Sequence, residues 1–337
     1  MTSYAKKVVF GMTRVHLGVD VGSVSTKLVA LSANGQVVEH LCIDTAGRPI
    51  HAIGQVLDMA RKSLGKCEVL GVGSTGSGRV LAGAMLGADI VKNEITSHAR
   101  AALSVEPEVR TILEIGGQDS KVIVLSGGVV TDFAMNTVCA AGTGSFLDRQ
   151  AARLNVAVDQ LGSMALQSTN PVRIAGRCAV FAESDMIHKQ QIGCSTEDII
   201  NGLCEALVRN YLNNVAKGKS LKPPVLFQGG VAANLGIKRA FERALGCGVS
   251  VPEHYRVMGA LGVALLASTA PAEKTRFRGF EVADSEFNSR GFECSDCPNA
   301  CEIVELMMDN QVVARWGGRC GKYERTERTL SDASNAV

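Results

Sequence analysis

Two stretches of the chain distribute apolar and polar positions in the same way. The first, LGVDVGSVSTKLVALSANGQVVE from Leu17, reads as a strand, a polar glycine turn, a second apolar strand, a turn at Asn34-Gly35 and a third strand. The second, ILEIGGQDSKVIVLSGGVVTD from Ile112, repeats that order, with its later turn at Gly127-Gly128. At one fixed offset Asp20 matches Glu114, Gly22 matches Gly116, Lys27 matches Lys121, and Leu31-Ser32 match Leu125-Ser126. An acid, a glycine, a lysine and a turn recurring in one order argue for an internal duplication over two unrelated hairpins.

Helical periodicity follows each block. IHAIGQVLDMARKSLG keeps apolar residues on one face and is expected to stop at Gly65. TGSFLDRQAARLNVAVDQL and IINGLCEALVRNYLNNVAKG read as two further helices, the latter ending at Gly218. PPVLFQGGVAANLGIKRAFERAL then gives a short buried strand, a Gly-Gly turn and a helix. The predicted architecture is α/β and duplicated. A first half spans 1–110 and a second spans 111–270, with a cleft between them that carries glycine turns from both.

Those turns suggest phosphate chemistry. Glycine lets backbone N–H groups approach a phosphate closely. Carboxylates hold Mg²⁺, usually through water. DVGSVSTK offers Asp20, Gly22, Ser23, Ser25, Thr26 and Lys27; IGGQDSK offers Gly116, Gly117, Gln118 and Asp119; QGGVAAN offers Gly229, Gly230 and Asn234. Neither a Gly-x-x-x-x-Gly-Lys-Ser/Thr loop nor a Gly-x-Gly-x-x-Gly loop after the first strand is present. A fourth polar loop, GSTGSGR from Gly73, reads equally as an ordinary strand-to-helix turn.

Composition narrows the classes. With 46% apolar residues, 4% aromatics and 36 glycines, the 337-residue chain suits a well-cored α/β protein with many tight turns. Lys plus Arg (35) nearly cancels Asp plus Glu (33), so nothing points to nucleic acid or an anionic membrane. The N-terminal residues do not read as a secretory signal, and a cytoplasmic location is expected. In a reducing compartment the eleven cysteines are not expected to form a disulfide framework. Cys42, Cys67, Cys194, Cys204 and Cys247 are expected to be small buried hydrophobes. Metal or redox chemistry is the open reading for the others.

The three glycine turns resemble the phosphate-1, phosphate-2 and adenosine motifs of the actin, hexokinase and sugar-kinase superfamily. The resemblance implies that fold, with ATP between two domains. Adding MNTVCAAGTGSFLD and GRCAVFAESDMI, the chain from about Val15 to Ala267 resembles the BadF/BadG/BcrA/BcrD ATPase family, the ATP-dependent activators of 2-hydroxyacyl-CoA dehydratases. That implies a homodimer with one bridging [4Fe–4S] cluster held by Cys139 and Cys178 of each subunit, and ATP, ADP and Mg²⁺ as further ligands. Read from residues alone, Cys139 is either a thiol buried beside a phosphate loop or a ligand favoured by a helix start. A symmetric dimer turns two thiols per chain into the four that such a cluster takes.

On the same basis, Asp20 and Asp119 are expected to orient Mg²⁺ and water, and Lys27, Ser25 and Thr26 to contact phosphates. Gly229, Gly230 and Asn234 would border adenosine. Gly142, Thr143 and Gly144 would face nucleotide from the element headed by Cys139, and Glu183 reads either as a link between cluster and nucleotide or as a surface carboxylate. The implied activity is ATP-coupled transfer of one low-potential electron to a partner iron–sulfur enzyme, a dehydratase or a double-cubane-cluster protein, with ferredoxin or flavodoxin as donor. Alternatives are the ATPase subunit of a benzoyl-CoA-type reductase, a small-molecule kinase of the same superfold, whose chemistry has no need of the two cysteines, and a non-redox ATP sensor.

The end of the chain departs from compact members of the family. Residues 271–290 read as a charged linker. CSDCPNAC supplies Cys294, Cys297 and Cys301, and Cys320 follows, a spacing that suits a second [4Fe–4S] cluster or Zn²⁺ in a small module over 291–325. Between them EIVELMMDNQVVARW is expected to form a hairpin turning at Asp309-Asn310. Residues 326–337 are expected to be disordered.

Overall fold

The computed structural model describes residues 13–136, 139–176, 178–270 and 274–323. The N-terminal residues and the polar tail from 326, with the expectations attached to them, lie outside the described residues. The chain divides into two compact units. One runs up to Glu94 and resumes at Gly259; the other spans Ile95–Met258.

The first unit opens with the meander β1 (Thr13–Val21), β2 (Ser25–Ser32) and β3 (Val37–Asp44). Helix α1 (Pro49–Leu64) crosses to β4 (Cys67–Thr75), and α2 (Arg79–Leu86) leads to β5 (Ile90–Val91). The sheet order is β3-β2-β1-β4-β5, with β1 antiparallel to β2 and parallel to β4. Central β1 is buried along its last five residues, whereas edge strand β3 alternates half-buried and exposed. That alternation leaves Cys42 exposed, against expectation. Cys67, Cys194 and Cys247 are half-buried, so Cys204 alone of that group is a fully buried thiol. Pro at its start and the positive-φ Gly65 at its end bound α1 where the sequence placed it.

The second unit contains α3 (Glu94–Val105) and repeats the plan. Strands β6 (Thr111–Ile115), β7 (Ser120–Ser126) and β8 (Val129–Asn136) form the meander, followed after a long excursion by β9 (Val225–Gln228), α8 (Leu235–Leu245) and β10 (Val249–Ser250). The order β10-β9-β6-β7-β8 is the first sheet's order again. The crossover differs. Residues 45–66 suffice in the first unit; the second uses 137–224, which carry α4 (Gly144–Leu154), α5 (Leu161–Leu166), α6 (Ala179–Gln191) and α7 (Thr196–Asn214). The single helix expected from Thr143 onward is broken because Asn155 takes a left-handed conformation and caps α4.

Helix α9 (Met258–Thr269) returns to the first unit and lies against its sheet. A Cβ on Gly18 would stand 2.0 Å from the Ala260 carbonyl oxygen, and one on Gly73 2.6 Å from that of Val263. These glycines let helix and sheet backbones approach. Beyond α9, the segment expected as a linker is strapped down. Arg276 donates to the carbonyls of Ala88 and Asp89, Thr275 to the Asp89 carboxylate, and the turn Phe280–Asp284 packs on α1. Its charges find partners there, and Phe277 and Phe280 anchor it to the first unit's core.

Strands β11 (Phe287–Glu293), β12 (Glu302–Met308) and β13 (Gln311–Trp316) then form a small antiparallel sheet. The expected hairpin is present, with Asp309 and Asn310 both at positive φ. Leu306, Val313 and Ala314 join the core of the first unit. No helix among the described residues is long and apolar enough to cross a membrane.

Replacing Gly18 with Ala is expected to lower stability by about 2 kcal/mol or more, since the intruding methyl meets backbone that cannot rotate away. Urea unfolding checks this; an unchanged midpoint would contradict the packing described.

Candidate functional site

The duplication places an acid opposite a lysine in each meander. Asp20 pairs in register with Lys27, and Lys27 Nζ lies 3.3 Å from its carboxylate. Glu114 pairs with Lys121, whose Nζ lies 3.0 Å from Glu114 and 2.8 Å from Asp119. Both turns close alike: Gly22 N–H donates to Ser25 O (3.0 Å), and Gly116 N–H to Asp119 O (2.9 Å). A positive-φ glycine presses on each acid from the neighbouring strand. A Cβ on Gly76 would stand 2.6 Å from Asp20 Oδ1, and one on Gly229 2.8 Å from Glu114 Oε1. The GSTGSGR loop is therefore the first unit's equivalent of the QGGVAAN turn, a correspondence the sequence reading missed.

The predicted ligands fall into two groups. Ser23, Gln118 and Gly230 are exposed at their turns, Ser25 and Asp119 half-exposed, and space around Gly230 is open. Thr26 is not with them. It is fully buried, and its hydroxyl bonds that of Thr45, which donates to the Gly22 carbonyl. Period-two alternation sends it to the face opposite Ser25 and Lys27, where it braces the turn. Asn234 caps α8, accepting from the Ile237 N–H.

Gly142, Thr143 and Gly144 also depart from expectation. Gly142 and Thr143 are buried, and Thr143 Oγ donates to Ala140 O. Gly144 N–H donates to the Gly116 carbonyl, and Ser145 N–H to the Gly117 carbonyl, each at 2.8 Å. Ser145 Oγ donates to Gly117 as well, at 2.6 Å. The first N–H groups of α4, which a phosphate would otherwise occupy, are thus taken by the carbonyls of the IGGQDSK turn. The element headed by Cys139 is fastened to that turn through backbone.

Both cysteines stand at helix starts. Cys139 is exposed and precedes the short 3₁₀ turn Ala140–Gly142; Cys178 is half-exposed and caps α6. Asn136, at the end of β8, grips Cys139 twice: its Oδ1 accepts from the Cys139 N–H at 3.0 Å, and its Nδ2 donates to the Cys139 carbonyl at 2.8 Å. Asn210 on α7 is buried between the two cysteine segments. Its Nδ2 donates to Gly176 O at 2.6 Å, and its Oδ1 lies where a Cβ on Gly142 would come within 2.9 Å. Glu183 on α6 accepts from Arg149 Nε (3.0 Å) and Arg153 Nε (2.7 Å) of α4. The two guanidinium groups, Arg153 first, hold the Glu183 carboxyl below its ordinary range. Burial instead pushes the Cys204 thiol up to about 12, so it stays protonated.

The family model of the BadF/BadG/BcrA/BcrD ATPases matches residues 17–267. The chain belongs to this ATPase family. It is 36% identical over 254 residues to the 2-hydroxyisocaproyl-CoA dehydratase activator of Clostridioides difficile, covering 74% of this chain and 94% of that protein. It is likewise 36% identical over 255 residues to the (R)-2-hydroxyglutaryl-CoA dehydratase activating ATPase of Acidaminococcus fermentans, covering 74% and 96%. The structure of the Clostridium difficile activator with bound ADPNP superposes with a TM-score of 0.69, covering 75% of this chain and 94% of that one. With the repeated sheet order, this establishes the actin/hexokinase-like fold of the BadF-type ATPases.

The family match ends before the small sheet. There Cys294 and Cys301 face each other across the base of β11 and β12, with Cys294 N–H donating to Cys301 O at 2.8 Å. Cys297 lies on the connecting loop and Cys320 beyond β13. Among the described residues no three His, Cys, Asp or Glu side chains converge to hold a metal ion. In this BadF-type chain, Asn136, Asn210, Arg149 and Arg153 went unseen in the sequence. Signals existed: an Asn three residues before a cysteine favours a local Asx turn, and Arg149 and Arg153 are one helical turn apart on one face.

A carboxyl depressed in the folded chain contributes stability above its unfolded value, lost as pH falls through the folded one. The α4–α6 clamp should therefore persist down through the ordinary glutamate range. Arg153→Ala is expected to move the Glu183 midpoint upward in an NMR titration of the apoprotein; identical midpoints would contradict the clamp.

Proposed function

We propose that this ATPase is an activator that delivers one low-potential electron to a partner iron–sulfur enzyme of the 2-hydroxyacyl-CoA dehydratase type, at the expense of ATP. The similarity to two dehydratase activators over nearly their whole length supports the partner class. The observation that carries the reading is the fastening of the Cys139 element to the IGGQDSK turn by the Gly144 and Ser145 N–H groups.

The bridging cluster fits the residues present. Cys139 and Cys178 are soft thiol donors, accessible, and set at helix starts where N–H dipoles favour anionic ligands. One chain offers two thiols, and a two-fold pair of chains offers four. Val180, exposed on the first turn of α6, supplies apolar surface for a second copy to cover. When bound, a [4Fe–4S] cluster supplies a one-electron redox centre.

The chain's own residues do the rest. Asp20 and Asp119 orient Mg²⁺ and the attacking water, each held by a lysine partner. Ser23, Ser25 and Lys27 contact phosphate from one turn, and Gly116, Gly117 and Gln118 from the other. Gly229 and Gly230 border adenosine. Movement of the Gly116-Gly117 turn when phosphate is bound or lost pulls on α4, and the Arg149–Arg153–Glu183 clamp passes that pull to α6. Asn136 and Asn210 keep the two thiols in step.

The tail cysteines do not fit a four-thiolate site in the arrangement seen. The Cys294 side chain instead contacts those of Asp296 and Tyr323.

Anaerobic purification followed by iron analysis and EPR tests the reading. A dimer with about four irons per two chains is expected. Cys139→Ala should remove that iron and leave nucleotide affinity within about twofold, whereas Cys294→Ala should leave the iron in place. A colourless monomer, or full iron in the Cys139→Ala protein, would contradict the proposal.

A further inference from the structure

A groove of about 1360 Å³ opens in the second unit, away from every turn assigned above. Its walls come from segment 173–176, from α6 and from the end of α7 with the residues that follow it. Arg173, Lys189, Arg209 and Lys217 line it, against one carboxylate, Asp185. Asp185 is engaged by the Ala175 N–H at 2.8 Å, and Arg209 donates to Ile174 O at 2.6 Å while pairing with Glu205. Arg173, Lys189 and Lys217 have no ion-pair partner among the described residues. Three uncompensated cations therefore face one concavity in a chain whose overall charge is near neutral.

The groove adjoins the cysteine assigned to the cluster. Gly176 in its wall is two residues before Cys178, a reach of at most about 7 Å between Cα atoms. Phe181, three residues after Cys178, lines the rim and is 65% exposed.

We infer that this groove docks the acidic face of a small electron-carrier protein, the donor that reloads the cluster. Three observations support that occupant. Small-molecule sites are mostly apolar with a few converging polar groups, whereas this groove is wide and ringed by like charges. A cationic patch beside an exposed aromatic steers a short-lived complex with an acidic partner, the regime of small redox interfaces. Every wall belongs to the second unit, which also carries Cys139 and Cys178, so a carrier seated there lies near the thiols assigned to the cluster. In each encounter the reduced carrier is oxidised by one electron and the cluster reduced by one, with no bond or proton exchanged.

The inference rests on the proposed function, and its test is independent of turnover. The probe is oxidised flavodoxin, an acidic carrier, titrated calorimetrically into the intact protein. Affinity is expected to fall at least about tenfold between low and physiological salt. The combined variant Arg173→Glu, Lys189→Glu and Lys217→Glu should lose at least about tenfold at low salt. A control variant with the same charge change, Lys66→Glu, Lys92→Glu and Lys274→Glu, should keep the affinity within about twofold. Salt-insensitive binding, no loss in the groove variant, or equal loss in the control would overturn the assignment. So would displacement of the carrier by micromolar coenzyme A, which would assign the groove to a small anion. Iron content is measured on the same samples: iron without carrier binding sinks the groove alone, and carrier binding without iron sinks the cluster alone.

Discussion

The proposed coupling in this chain depends on two backbone hydrogen bonds. The N–H groups of Gly144 and Ser145 reach the carbonyls of Gly116 and Gly117, and the helix that follows Cys139 therefore cannot shift without the turn of the second meander. Helix N-termini leave N–H groups unpaired and attractive to anions. In this molecule those donors are spent on a neighbouring turn. The result is a rigid joint in place of a second phosphate site. A Cβ on Gly144 would stand 3.0 Å from Gly116 O, so the joint depends on glycine for its closeness.

The duplication explains where that joint was added. Both units keep a carboxylate opposite a lysine, a turn closed by a glycine N–H, and a positive-φ glycine pressed on the acid. What differs is the crossover after the third strand. In the first unit one helix suffices, and in the second the crossover has grown into four helices carrying Cys139 and Cys178. The added elements are tied inward by Asn136, by Asn210 and by the two arginines on Glu183. Only the second half of the duplicated plan carries these added helices.

Much of this was legible in the residues. The repeat gave the two meanders, and Gly65 and Asp309-Asn310 marked a helix end and a hairpin. Other features depended on distance between chain segments, which pattern does not encode. Thr26 looked like a phosphate contact because it sits beside Ser25 and Lys27, yet strand alternation turns it toward Thr45. Gly142 to Gly144 looked like a phosphate loop because glycine-rich helix starts usually are one; the carbonyls that fill it come from a turn 28 residues earlier. The segment after α9 looked like a linker because it is charged, while its charges are matched by Asp89 and by the carbonyls of Ala88 and Asp89, and its phenylalanines by the core.

The joint itself is tested most directly by hydrogen–deuterium exchange on the intact protein, with and without Mg²⁺ and a non-hydrolysable ATP analogue. The account predicts that nucleotide changes the protection of peptides covering Gly144 to Leu154 and Ala179 to Gln191 together with the Gly116-Gly117 turn. Protection that changes at the glycine turns while both helices exchange as before would contradict it.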